Sequence, residues 1–246
     1  MNNRGLVSIS FRGNTPTEIV KYVKEAELNA IEWGGDVHVP HGDIDTAKAV
    51  KALCKREGIL TPEYGSYYTV GVSEKALFDG VLASARTLEA PLIRIWGGNK
   101  SSNTLSSDEY ALLVEDAVRI ARLSGDITLC LECHQHTVTD EYHTAIQFIK
   151  DVNMKNLQMF WQPNQARNIE YNIDSLKALF PYVNAVHVFS WEREKKLPLD
   201  KHTEEWKKYI DILKDRDMNY MLEFMHDNNI LTLKETAGTL NGWVKL

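Results

Sequence analysis

The chain has 246 residues, 43% of them hydrophobic and 25% charged, an ordinary balance for a globular protein in water. Its formal charge of −6 disfavours a nucleic-acid partner, and three cysteines are too few for a disulfide scaffold, so a reducing cytoplasm is the expected setting. No apolar run approaches the roughly 18 residues of a membrane span, and the opening MNNRGLVSISFRGN lacks the apolar stretch of a secretion signal.

The predicted elements alternate between short apolar runs and amphipathic segments. Gly5 to Ser10 reads as a strand, and Thr15-Pro16-Thr17-Glu18 opens a helix with a capping box and a proline in its first turn. Ile31-Glu32-Trp33 ends a second strand, and Asp43 caps a helix that Gly58 stops after Glu57. Ile59 to Tyr64 forms a third strand, followed by a helix from Ser73 to about Glu89. Leu92 to Trp96 is the fourth strand, and Ser106 with Glu109 starts a helix reaching about Leu123. The second half repeats the order. Strands are expected at Ile127–Glu132, Leu157–Gln162, Val183–Phe189 and Asn219–Phe224. Helices are expected at Thr139–Lys150, Ile169–Phe180 and Thr203–Leu213, with a final one ending near Gly242.

Eight strand–helix pairs with no linker-like segment point to one domain over residues 1–246, a single (β/α)8 TIM barrel of the α/β class. An open doubly wound sheet would call for a Gly-rich phosphate turn after the first strand, and Phe11-Arg12-Gly13-Asn14 has one glycine.

Barrel chemistry sits at the C-terminal ends of the strands. The polar residues at those ends are Glu32, Tyr64, Glu132 with His134, Gln162 with Gln165, His187, and Glu223 with His226, and Trp33, Trp96, Trp161 and Trp191 crowd the same rim. Side chains alternate along a strand. Leu129, Leu131, Val186, Val188, Tyr220, Leu222 and Phe224 are expected to face the helices, so Glu132, His187 and Glu223 face one interior cavity. In LCLECHQH the same alternation sends Cys130 and Cys133 to opposite faces, which excludes a shared zinc ion or a dithiol.

An acid or histidine at a strand end often only caps a helix or pairs with a neighbour. Three that interrupt separate apolar runs and converge are harder to explain that way, because ionised acids inside a barrel need a cation or a partner. Two carboxylates and an imidazole suit Mn, Zn, Co or Mg. Such a cation would polarise a substrate carbonyl, with Glu132 and Glu223 as the acid/base pair of a hydroxy-ketone isomerase or epimerase working through an enediolate. Trp33, Trp96 and Trp191 could stack on a sugar ring, with Glu32, Tyr64, His134 and Gln165 as further substrate contacts.

Together these stretches resemble the xylose isomerase-like TIM barrels, sugar phosphate isomerases and epimerases among them. The resemblance spans about Gly5 to Gly242 and rests on Ile31-Glu32-Trp33-Gly34-Gly35, Leu131-Glu132-Cys133-His134, Trp161-Gln162-Pro163-Asn164, Val186-His187-Val188 and Leu222-Glu223-Phe224. It implies one divalent metal held by Glu132, Gln162, His187 and Glu223, with Arg193 holding substrate oxygens. Two departures stand out: Gln162 replaces an expected Asp, and Gln165 a frequent His. The loss of a negative charge at Gln162 should weaken metal binding. Two alternatives follow from the same resemblance. One is an apurinic-endonuclease-like phosphodiesterase using Asp200-Lys201-His202, with Asp36, His38 and His41 as further ligands. The other is a sugar-binding barrel whose metal site has decayed. The expected partner is a small carbohydrate, with no nucleic acid and no membrane; self-association is compatible with the sequence.

Overall fold

The computed structural model describes residues 2 to 244. In chain order the elements are β1 (Asn3–Val7), α1 (Pro16–Glu25), β2 (Ala30–Gly34), α2 (Ile44–Glu57), β3 (Leu60–Thr69), α3 (Leu77–Leu88), β4 (Leu92–Trp96), α4 (Ser107–Ser124), β5 (Thr128–Glu132), α5 (Tyr142–Val152), β6 (Leu157–Trp161), α6 (Ile169–Leu179), β7 (Val183–Val188), β8 (Trp191–Glu192), β9 (Lys195–Lys196), α7 (Thr203–Leu213), β10 (Asn219–Leu222) and α8 (Leu233–Trp243). Eight parallel strands close in the order β1-β10-β7-β6-β5-β4-β3-β2, and β8 pairs with β9 as a small antiparallel hairpin beside the barrel mouth. No helix among the described residues is long and apolar enough to cross a membrane.

Local chemistry sets the helix ends. Thr15 and Ser106 each accept from a backbone N–H three residues on, while Glu18 and Glu109 reach back, so both capping boxes form. Asp43 caps α2, and Gly58 ends it at φ 70°, the left-handed region where a Cβ would be strained. Several boundaries differ from the sequence reading, the first strand among them, read over Gly5–Ser10 and found over Asn3–Val7 with a tight helical turn at Ser8–Phe11. The third strand runs on to Thr69, which displaces the start of the next helix from Ser73 to Leu77. The fifth helix begins at Tyr142 rather than Thr139, because Thr139 Oγ1 donates to the Glu132 carbonyl (2.5 Å) and Thr137 Oγ1 to that of His134 (2.7 Å). Those bonds hold the chain in a loop against the end of β5. The eighth barrel strand stops at Leu222, and Phe224 takes φ 56°.

Alternation then divides the apolar residues into layers. Leu129, Leu131, Val186, Val188, Tyr220 and Leu222 join the large core between barrel and helices. Inside the barrel lie two small apolar patches, Val7-Ile9-Ala30-Met221 and Cys130-Phe160-Ala185. Glu32, Glu63, Arg94, Glu132 and His187 point into the same interior and are all nearly inaccessible to water.

Candidate active site

Arg94, on β4, is buried between two carboxylates. Its Nε donates to Glu32 Oε1 (2.8 Å) and its Nη1 to Glu132 Oε2 (2.7 Å). Trp96 Nε1 donates to the same Glu132 oxygen (2.7 Å), and Gln162 Nε2 reaches Glu132 Oε1 (3.2 Å) and the Cys133 carbonyl (2.8 Å). Burial pushes the Glu132 carboxyl up, but Arg94 and His187 outweigh it and hold the group below the usual carboxylate range. The same contest, with Arg94 and His187 again prevailing over burial, holds Glu32 at about 2. For Glu63 the balance reverses: burial, then the charge of Glu32, outweigh the pull of His187 and push it well above its ordinary value.

His187 joins this layer from β7. Its Nε2 donates to Glu32 Oε2 (3.0 Å), and the acceptor, an ionised carboxylate, fixes the proton on that nitrogen. The other ring nitrogen, Nδ1, is buried with no hydrogen-bond partner. It faces Glu132 Oε1 at 3.7 Å and Glu223 Oε2 at 3.5 Å, and the ligand atoms of the three residues lie within 4.8 Å of one another. Burial pulls the His187 pKa down, but the charges of Glu223 and Glu32 outweigh it and raise it well above its ordinary value, so the site favours a positive charge at Nδ1, a proton or a cation. With the imidazole neutral, as a metal ligand must be, Glu32, Glu132 and Glu223 against one guanidinium leave two formal negative charges. Carboxylate and imidazole donors, that net charge and the orphaned nitrogen fit a divalent cation, with Glu32 orienting the histidine from behind.

No family model matches the chain, and no curated protein matches it. Solved structures do. The probable 3-DHS dehydratase AsbF of Bacillus anthracis, involved in petrobactin synthesis, superposes with a TM-score of 0.84 at 20% identity, over 98% of this chain and 99% of that one. This chain has the xylose isomerase-like TIM-barrel fold. D-psicose 3-epimerase of Clostridium cellulolyticum H10, solved with D-tagatose, gives 0.73 at 13% identity over 98% and 97% of the two chains. A xylose isomerase-like TIM barrel protein of Mycobacterium smegmatis, in complex with magnesium, gives 0.69 at 14% over 94% and 91%.

Above the polar layer, this xylose isomerase-like barrel opens into a cavity of about 490 Å³ at the C-terminal ends of its strands. Glu132, His134, Gln162, Gln165, Trp96, Trp191 and Glu223 all line it. His134 stacks on Trp96 (ring centroids 5.0 Å apart, planes at 21°), and Phe224 meets Trp191 edge to face at 6.0 Å. Phe224 corrects the sequence reading: past the end of β10 its left-handed backbone breaks the alternation and turns the ring to the cavity rather than the helices.

Four expected substrate contacts lie elsewhere. Trp33 follows the inward Glu32, so alternation places it in the outer core, fully buried. Tyr64 pairs with Trp33 in register and also faces outward, its hydroxyl donating to the Val39 carbonyl (2.7 Å). Glu32 sits beneath Arg94 as a support, inaccessible to solvent. Arg193 turns the β8–β9 hairpin at φ 56° and lines a neighbouring groove instead. Of the loop candidates, His38 bonds Ser8 Oγ (2.9 Å), His41 bonds the Tyr64 hydroxyl (2.8 Å), and Asp36 pairs with Arg12. His202 is bonded to Ser190 Oγ (2.6 Å) in the neighbouring groove.

Two interior residues escape the sequence reading, Arg94 and Glu63. Each carries the signal that marked Glu132, a charge inside an apolar run. Arg94 stands between Ile93 and Ile95, and Glu63 precedes Tyr64 by one residue, the step that separates the two faces of a strand.

Proposed function

We propose that this barrel is an enzyme, a divalent-cation-dependent isomerase or epimerase that moves a proton at the carbon next to the carbonyl of a small carbohydrate. The observation that carries the reading is the buried, unpartnered His187 Nδ1 between Glu132 and Glu223. Glu132, His187 and Glu223 would hold the cation. When bound, it polarises the substrate carbonyl as a Lewis acid and acidifies the neighbouring C–H.

The protein's own groups supply the rest. Glu132 has both lone pairs of Oε2 filled by Arg94 and Trp96 and one of Oε1 by Gln162, so its part is to hold and orient. Glu223 lines the cavity and meets His187 Nδ1 at 3.5 Å, and from there its carboxylate would take up and return a proton. Trp96 with His134, and Trp191 with Phe224, form walls for a sugar face, while Asn164 and Gln165 offer amides to its hydroxyls. Elimination of water from a β-hydroxy ketone begins with the same proton removal, and the likeness to the probable dehydratase of Bacillus anthracis supports including such compounds among the substrates tested. The phosphodiesterase alternative has less support, since His202 is bonded away from the cavity.

The test pairs elemental analysis with two substitutions. Glu223→Gln is expected to retain measurable Mn²⁺ and lose at least 10²-fold in turnover of five- and six-carbon aldoses and ketoses, as removal of a general acid/base does. Glu132→Gln is expected to lose most of the cation. Unchanged metal content and activity in both variants would overturn the reading.

A further inference from the structure

Arg94, Glu32, His187 and Glu132 form a chain of contacts that is nearly a ring. Glu32 Oε1 takes Arg94 Nε at 2.8 Å and Glu32 Oε2 takes His187 Nε2 at 3.0 Å, while Arg94 Nη1 holds Glu132 at 2.7 Å. The open link lies between His187 Nδ1 and Glu132 Oε1, 3.7 Å apart, where the cation would sit. The room for the guanidinium is specific. A Cβ on Gly65, its register neighbour on β3, would lie 2.9 Å from Arg94 Nη2 and 2.4 Å from Glu32 Oε1. The Tyr67 ring covers the guanidinium, with Arg94 Cζ 5.5 Å from the ring centroid.

A residue that only balanced charge could do so from many positions. Arg94 instead uses two different nitrogens of one rigid plane on two different carboxylates. We propose that Arg94 is the positioning residue of the cation site, aiming Glu132 directly and His187 through Glu32, so that two of the three ligands are set by one guanidinium. This rests on the functional reading above. Lysine keeps the charge but not the planar fork, so Arg94→Lys separates geometry from charge. Trp96 assists by fixing the same Glu132 oxygen.

The experiment is Mn²⁺ titration of the full chain by calorimetry, with folding checked by circular dichroism. Wild type is expected to bind one Mn²⁺, and Arg94→Lys to bind it at least tenfold more weakly, the usual cost of losing a group that orients a ligand. Because Arg94 acts partly through Glu32, the double variant Arg94→Lys/Glu32→Gln is expected to lose less affinity, relative to wild type, than the product of the two single losses. An affinity of Arg94→Lys within twofold of wild type, or single losses that multiply, would overturn the proposal while leaving the functional reading intact. Absence of Mn²⁺ binding by wild type would remove the functional reading itself. Should Arg94→Lys fail to fold, Glu32→Gln alone breaks the same ring, and an unchanged affinity there overturns the proposal equally.

Discussion

Glu63 and Glu32 lie side by side in the barrel and reach opposite protonation states. Glu32 has Arg94 and His187 and stays ionised, whereas both oxygens of Glu63 lack a hydrogen-bond donor and its proton is retained well above the ordinary range. The raised acid costs stability as pH rises: above about 4.5 the unfolded chain releases the Glu63 proton while the folded one keeps it. Glu32 behaves oppositely. Its stabilisation is full above the unfolded value and is lost as pH falls toward its folded value of about 2. Glu63→Gln, which cannot ionise, is therefore expected to raise stability at pH 8 by about 1–3 kcal/mol and by less at pH 4. Urea unfolding at the two pH values checks this, and an equal gain at both would contradict it. At this scale the sequence placed Glu132, His187 and Glu223 in inward phase, because each interrupts an apolar run, and the structure brings the three together. It hid the consequence of Arg94, since a hydrogen bond from β4 to β2 depends on register across three strands.

Between elements, small residues decide whether the polar layer fits. Gly65 on β3 stands beside Arg94 on β4 and leaves the space that Arg94 and Glu32 occupy. Gly65→Ala should push those side chains apart and destabilise the fold by about 1–3 kcal/mol, the usual cost of overpacking. It should also weaken Mn²⁺ binding; thermal unfolding and calorimetry on the same protein read both effects, and loss of neither would show that the space is not needed. Helix starts with side-chain caps were legible at this scale: Thr15, Asp43 and Ser106 all act as read. The loop over 133–141 was not, because its threonines bond the end of β5, a partner that local propensity does not reveal. Nor was the β8–β9 hairpin, which carries Trp191 to the cavity wall and Arg193 away from it.

For the whole molecule, barrel closure places charges from β2, β4, β5, β7 and the end of β10 in one interior, between two small apolar patches. Repulsion among these carboxylates opposes folding, and the proposed cation would offset it. Mn²⁺ at a hundredfold excess over its dissociation constant is expected to add about 2.7 kcal/mol. For a domain of this size that is a rise of roughly 5–10 °C in Tm, reversed by EDTA. Scanning calorimetry with and without Mn²⁺ measures it, and an unchanged Tm would argue against a cation at Glu132, His187 and Glu223.

By itself the sequence determined the alternation of strands and helices, the closure into a barrel and the inward phase of three ligand candidates. Periodicity and capping are local, so one chain carries them in full. Tertiary structure decided which strand-end groups meet. It seated Trp33 and Tyr64 in the outer core, turned Phe224 to the cavity and put Glu32 beneath Arg94. Those outcomes depend on register between strands and on backbone turns past their ends, where period-two alternation no longer applies.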